Sequence, residues 1–139
     1  MVKALPFLVI FAFLTGCSHG YNGPDQTIVN KFEVSQDQML LVVKVKDVAY
    51  TEYSTTSCPD NDCIVMRTWF VYEADVLEVL HGKYDDSKIS FANMQHSYYV
   101  DEYTNEWYLL LQQFEDLSSV EKLNTKYYVI QQESKFNGS

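Results

Sequence analysis

The alternation of apolar and polar residues that begins near Met39 predicts a protein built from β-strands. Over residues 40–53, one predicted face carries Leu41, Val43, Val45 and Ala49, and the other carries Lys44 and Lys46. A period of two residues is typical of a strand with one buried face. The pattern therefore predicts a first long strand over this segment.

A second long strand is predicted over residues 64–80. One face carries Phe70, Tyr72, Ala74 and Val76, and the opposite face carries Glu73 and Asp75. The alternation slips near Leu77–Val79, as it does where a β-bulge inserts one extra residue. Because turn-forming residues separate the two long strands, we expect them to pair as a hairpin.

Three shorter strands and one helix are predicted in the second half of the chain. The strands are expected over residues 88–94, 106–114 and 126–133. Between the last two, Ser118 and Glu121 have the spacing of a helix capping box. The short helix that follows would carry Leu117, Val120 and Leu123 on its apolar side and end at Asn124.

Five strands and one short helix predict an all-β fold, either a small antiparallel barrel or a sandwich. The segments 72–83 and 107–111 resemble strands of netrin-like and related OB barrels, which implies an OB-like arrangement. The chain departs from those barrels in the position of its helix, which OB barrels place between the third and fourth strands. A lipocalin-like or other up-and-down arrangement stays open.

The first 17 residues have the features of an export signal. Lys3 precedes an apolar run of eleven residues, Ala4–Leu14, which is too short to span a bilayer as a helix. The closing residues Leu14–Cys17 resemble the lipobox of bacterial lipoproteins. That resemblance implies cleavage between Gly16 and Cys17 and a diacylglycerol on Cys17. An ordinary cleavable signal is the alternative.

The leader divides the chain into three expected parts. Residues 1–16 are the signal peptide, 17–30 a lipidated N-terminus with a flexible tether, and 31–139 one β-rich domain. Ser18 after the cysteine resembles lipoproteins sorted to the outer membrane, facing the periplasm, in Gram-negative bacteria. We therefore expect a cell-envelope protein that is held to the membrane by lipid.

The charge of the mature chain limits its partners. Removal of residues 1–16 takes away only Lys3, which leaves 9 basic and 19 acidic residues and a net charge of −10. A strongly negative protein repels phosphate groups, so nucleic acid is not expected as a partner. No cofactor is expected.

The three cysteines are accounted for by the leader and one pair. With Cys17 assigned to lipid, Cys58 and Cys63 remain, separated by the turn-forming residues Pro-Asp-Asn-Asp. We expect a Cys58–Cys63 disulfide in the oxidising compartment outside the inner membrane. A metal site is the alternative interpretation, but a second close pair of ligands is missing from the sequence, so no metal is predicted.

One cluster of aromatic residues is a candidate binding surface, formed by Tyr98, Tyr99, Tyr103, Trp107 and Tyr108. Rigid amphipathic rings suit stacking on sugars or anchoring a protein contact. In the alternative interpretation, Trp107 lies in the core and the tyrosines cover a sheet edge or loop. The histidines, His19, His81 and His96, have no spacing typical of a metal site.

These observations favour a non-enzymatic, lipid-anchored envelope module that binds a protein or cell-wall ligand. The first alternative is an acidic inhibitor of a cationic enzyme such as lysozyme, since opposite charge speeds encounter. The second is an enzyme, and none of the standard nucleophile, phosphate-binding or dinucleotide-binding motifs occurs in the sequence.

The lipid anchor is tested by Cys17→Ala. Without the thiol no thioether can form, so metabolic labelling with radioactive palmitate should be lost and the precursor should stay uncleaved or become soluble. Labelling is measured on immunoprecipitated protein, with the unmodified chain as the positive control. Labelling that persists in the variant would contradict the assignment.

Overall fold

A computed structural model describes residues 20–54, 67–96 and 106–135, and it confirms the five predicted strands and the predicted helix. The strands are β1 (Met39–Tyr50), β2 (Thr68–His81), β3 (Lys88–Gln95), β4 (Glu106–Gln113) and β5 (Tyr127–Lys135). The helices are α1 (Gln26–Val29), which was not predicted, and α2 (Leu117–Leu123).

The five strands close into a barrel in the order β1-β2-β3-β5-β4, and β4 pairs back onto β1. Four of the pairings are antiparallel. The fifth is parallel and joins β3 to β5 at Ala92 and Tyr128, so the predicted antiparallel barrel contains one parallel pairing. This is an OB-like five-stranded barrel rather than a sandwich, and the strand order excludes an up-and-down barrel.

Alternate side chains of β1 to β4 fill the barrel interior. Its buried members are Leu41, Val43, Val45, Phe70, Tyr72, Ala74, Ile89, Phe91, Trp107, Leu109 and Leu111. The Tyr72 ring stacks on Phe91 with centroids 5.4 Å apart and tilts against Trp107 at 5.2 Å. The inward faces predicted for the two long strands are therefore confirmed, apart from one residue.

The exception follows from bulges in the β1–β2 pairing. Leu77 and Leu80 have no partner in register, which confirms the predicted phase slip and turns both side chains to the outer side of the barrel. Lys46 is the extra residue in β1. After it the alternation shifts by one, so Val48 packs against the core and Ala49 is exposed, and the inward position predicted for Ala49 was wrong.

Residues 21–34, here called the N-terminal strap, lie across the outer side of β1 and β4. Ile28 of α1 and Phe32 pack in one buried cluster with Leu40, Val42, Tyr108 and Leu110. Hydrogen bonds and an ion pair add to this packing. The tether predicted over residues 17–30 is thus wrong for the part that the structure describes beyond Gly20, because the apolar side chains of that segment cover a barrel face.

The N-cap residue of helix α2 lies two positions earlier in the chain than predicted. The carboxylate of Asp116, not the Ser118 hydroxyl, is the N-cap and accepts the Ser119 backbone N–H at 2.8 Å. The predicted end at Asn124 is confirmed, since this residue takes the left-handed conformation with φ of 51°. Leu123 is buried, whereas Leu117 is exposed.

The contribution of the strap to stability is tested by Ile28→Ala. Truncation of a buried isoleucine costs about 2–5 kcal/mol, because it removes apolar contacts and leaves a cavity. Chemical denaturation should show this loss in the free energy of unfolding. The matched control is Thr27→Ala at an exposed position of the same helix, expected to change stability by no more than about 0.5 kcal/mol. Equal effects of the two changes would contradict the packing role of the strap.

Candidate functional site

Two members of the predicted binding surface are buried, so they cannot form an exposed surface. Trp107 points into the barrel, and Tyr108 lies under the strap, where its Oη accepts the Asp25 backbone N–H at 2.8 Å. Both side chains are 0% exposed. The physical reason is that β4 is covered on both faces. Tyr98, Tyr99 and Tyr103 lie outside the described residues.

Of the other residues that the sequence analysis considered, some lie outside the described part of the chain and two are exposed. Gly16 and Cys17, with the lipidation assigned to them, and the pair Cys58 and Cys63 lie outside the described residues. His81 and His96 are exposed at the ends of β2 and β3. Over residues 20–54, 67–96 and 106–135, no three His, Cys, Asp or Glu side chains come together to hold a metal ion.

A different set of aromatic side chains meets on the outer side of β2, β3 and β5. This aromatic face is formed by Tyr53, Trp69, Phe114 and Tyr128. The Trp69 ring meets the edges of Phe114 and Tyr128, with centroid separations of 5.4 and 6.3 Å. Phe114 and Tyr128 are tilted against each other at 4.8 Å. Tyr53, Phe114 and Tyr128 are half-buried, so each contributes part of a ring to the surface.

The alternation along β2 places Trp69 on this side. Phe70 and Tyr72 point into the barrel, so Trp69 and Val71 point outward. Opposite Val71 in register is Ala92 of β3, which is also the residue that bridges to Tyr128 of β5. A methyl side chain at this junction leaves room for the indole and phenol rings beside it. Small and large residues thus fit together on the outer surface as they do in a core.

Two polar atoms on this side of the barrel are buried without a hydrogen-bond partner. They are Nε1 of Trp69, a residue only 8% exposed, and Oγ of Ser90 on β3. The third such atom in the described part of the chain is Oε2 of Glu106, on β4. Buried polar groups are nearly always paired, so the Trp69 N–H is a donor that an ordered water or a bound ligand can satisfy.

Helix α2 packs on part of the aromatic face, because its Leu123 is buried in one cluster with Trp69 and Ala92. The helix also supplies polar groups to the face. The Tyr53 hydroxyl lies 3.3 Å from the Ser119 hydroxyl, and Lys122 Nζ lies 4.6 Å from the centre of the Tyr53 ring. The helix is held by Asp116. The Ser119 backbone N–H and the hydroxyls of Ser118 and Ser119 lower the pKa of Asp116 below its usual value, so this carboxylate stays charged as a helix cap.

A cavity of about 320 Å³ adjoins the aromatic face on the far side of Phe114. Its lining consists of Gln113, Phe114, Leu117, Val120, Lys126 and Tyr127. Leu117, at 77% exposure, is the most exposed large apolar side chain in the described part of the chain. Phe114 is therefore shared between the ring cluster and a partly apolar hollow, which extends the candidate surface along α2.

A second hollow is charged and of a different kind. It measures about 310 Å³ and is lined by Lys46, Asp47, Glu73, Ala74, Asp75 and Lys88. Lys46 Nζ and a carboxylate oxygen of Asp75 pair within it at 3.0 Å. Both side chains are substantially exposed, so the pair is screened by water and contributes little. Its two lysines and three carboxylates leave a net charge of only −1, which gives it little preference for a ligand of either sign.

The sequence predictions did not single out the residues of the aromatic face. One signal was present, since Trp69 and Val71 are apolar in the phase opposite to Phe70 and Tyr72, which indicates a strand covered on both sides. The meeting of Trp69 with Phe114 and Tyr128 left no sequence pattern, because these residues come from three distant segments.

In the described part of the chain, the structure contains no helix that is both long and apolar enough to cross a membrane. Comparisons of the chain with models of protein families, with curated proteins and with solved structures find no match in any of the three. The assignment of a site therefore depends on the residues and geometry of this chain alone.

Proposed function

We propose that this protein is a non-enzymatic, lipid-anchored module of the cell envelope that binds an envelope protein or a cell-wall ligand through its aromatic face. The observation that supports this most directly is the cluster of half-buried rings around the unpaired indole N–H of Trp69. The lipobox-like leader supports the anchor and the location. The aromatic face also occupies the surface of strands 2 and 3 that OB barrels use for ligands.

The chemistry of the aromatic face suits binding by stacking and apolar contact. The partly exposed rings of Tyr53, Phe114 and Tyr128 offer flat, rigid surfaces for a sugar ring or an apolar side chain. The Trp69 N–H is covered in the free protein, so a ligand acceptor reaches it only when neighbouring side chains move. An acceptor that did so would remove the cost of burying an unpaired donor.

The charge of the protein argues against one class of ligand that OB barrels commonly bind. Oligonucleotides bind to basic grooves, and binding depends on neutralised phosphates. This chain has a net charge of −9 before any processing. Neutral glycans and protein surfaces therefore remain the ligand classes that the site favours.

The proposal is tested by crosslinking in living cells. A photoreactive phenylalanine derivative at Phe114 or Tyr128 should yield a discrete crosslinked product, and the same group at Lys83, exposed between β2 and β3, should not. Mass spectrometry then identifies a protein partner, and digestion of the cell wall releases a glycan partner. Equal products from all three positions, or none from Phe114 and Tyr128, would contradict the aromatic face as the site.

The energetic role of the face is tested by Tyr128→Ala in the same cells. Truncation of an aromatic anchor at an interface typically costs more than about 1 kcal/mol, so product formed through the Phe114 probe should fall about five- to tenfold. Ile130→Ala is the matched control, since Ile130 is an exposed residue of the same strand. The measurement is the yield of crosslinked product, corrected for the amount of folded protein. A similar fall in both variants would contradict the assignment of the binding site to the aromatic face.

A second candidate function is inhibition of a cationic enzyme such as lysozyme. It is supported by the excess of acidic groups in the described segments, which contain fifteen acidic and nine basic side chains. Attraction between opposite net charges accelerates association and weakens as salt rises. Inhibition of lysozyme at low ionic strength that fades in about 0.5 M salt would support this function. No inhibition at low salt would exclude it.

A further inference from the structure

The N-terminal strap is attached to the barrel at several points, which together span three strands. Tyr21 Oη donates a hydrogen bond to a carboxylate oxygen of Glu78 on β2 at 2.6 Å. Tyr108 on β4 accepts from the Asp25 backbone, and Lys31 Nζ pairs with Glu133 on β5 at 2.9 Å. With Ile28 and Phe32 buried between these contacts, the strap is held along most of its length.

The first of these contacts is partly shielded from solvent. The pKa of Tyr21 is raised far above its usual value. Burial is the larger cause, and the hydrogen bond to Glu78 is the next. Tyr21 therefore stays protonated and keeps its hydrogen bond over the whole physiological pH range. The point where the chain reaches the barrel is thus fixed next to Glu78.

The strap and the aromatic face lie on opposite sides of the barrel. In the ring β1-β2-β3-β5-β4, the strap covers the seam between β1 and β4, and the strand opposite that seam is β3. The aromatic face lies on the outer side of β3 and of its two neighbours. A ligand centred on the outer side of β3 therefore lies opposite the β1–β4 seam, although the ends of the strap also reach Glu78 of β2 and Glu133 of β5.

The distance from the proposed lipid to the barrel is short. Cys17 and Tyr21 are four residues apart, so their Cα atoms can be separated by at most about 14 Å. A domain of about 100 residues has a radius of gyration near 13 Å, and is therefore about 30 Å across. A chain of four residues cannot reach around such a body, so it holds the strap side toward the lipid.

We propose that the strap orients the barrel on the membrane, with the β1–β4 seam facing the lipid surface and the aromatic face directed away from it. This inference rests on the lipid anchor of the proposed function, but not on the identity of the ligand. The strap side of the barrel thus faces the lipid surface. The aromatic face, on the opposite side, stays available to a protein or glycan.

The orientation is tested with the full-length lipidated protein reconstituted into phosphatidylcholine vesicles that carry a fluorescent energy acceptor on their headgroups. A fluorescent amino acid is placed either at Lys44, exposed on the seam side of β1, or at Glu121, exposed on α2 beside the aromatic face. Energy transfer from position 44 should exceed that from position 121 about twofold or more, because the two lie on opposite sides of a body about 30 Å across.

A strap variant and its matched control test the cause of this difference. The double change Ile28→Ala and Phe32→Ala should loosen the strap and bring the two transfer values together. The control pair Thr27→Ala and Glu33→Ala changes two exposed positions of the same segment and should leave the difference intact. Circular dichroism confirms that the barrel of each variant is folded, and the comparison of the two probes in the unmodified chain does not depend on either variant.

The outcomes separate this inference from the proposed function. Equal transfer from both probes, or stronger transfer from position 121, in vesicle-bound protein would overturn the orientation and leave the anchor and the aromatic site standing. A chain that does not associate with the vesicles would overturn both the anchor and the orientation. Absence of crosslinked product from the probes at Phe114 and Tyr128, with an intact transfer difference, would overturn the binding site alone.

Discussion

The burial of β4 and β1 on both of their faces is the constraint on which the rest of this structure depends. Their inner side chains, including Val43 and Trp107, fill the barrel, and their outer ones, including Val42 and Tyr108, pack under the strap. The pairing of these two strands is what closes the ring. Because the strap shields that seam, the last pairing of the barrel is protected from water on its outer side.

The bulges in the first hairpin make this double coverage possible. A strand without irregularities would send Leu77 and Val79 to the same face. The extra residues at Leu77 and Leu80 instead keep Val79 against the barrel core and turn both leucines toward the strap. The same bulges therefore serve two purposes. They bend the strands, as closure of a five-stranded ring requires, and they turn apolar side chains toward the strap.

In the proposed function and orientation, binding and anchoring use opposite sides of the same barrel. The strap covers one side of the barrel through several contacts, whereas the aromatic face retains partly exposed rings. An envelope module held by lipid has one side occupied by its attachment and needs its binding groups elsewhere. The arrangement of Trp69, Phe114 and Tyr128 meets that requirement, because β3 lies opposite the seam in the ring.

The sequence by itself determined the strands, the bulge in β2 and the end of α2 at Asn124. These features depend on residue periodicity and local backbone preferences, which are properties of short segments. It also predicted a flexible tether and offered Trp107 and Tyr108 as members of a binding surface, with a core position for Trp107 as the alternative. The tether beyond Gly20 and the surface positions of these two residues were wrong, and the core position of Trp107 is confirmed, because an apolar side chain does not reveal whether a distant segment will cover it. Only the tertiary structure decided the closed ring, the strap and the aromatic face. Each of these brings together residues far apart in the chain, such as Trp69 and Tyr128, and depends on packing that no local pattern encodes.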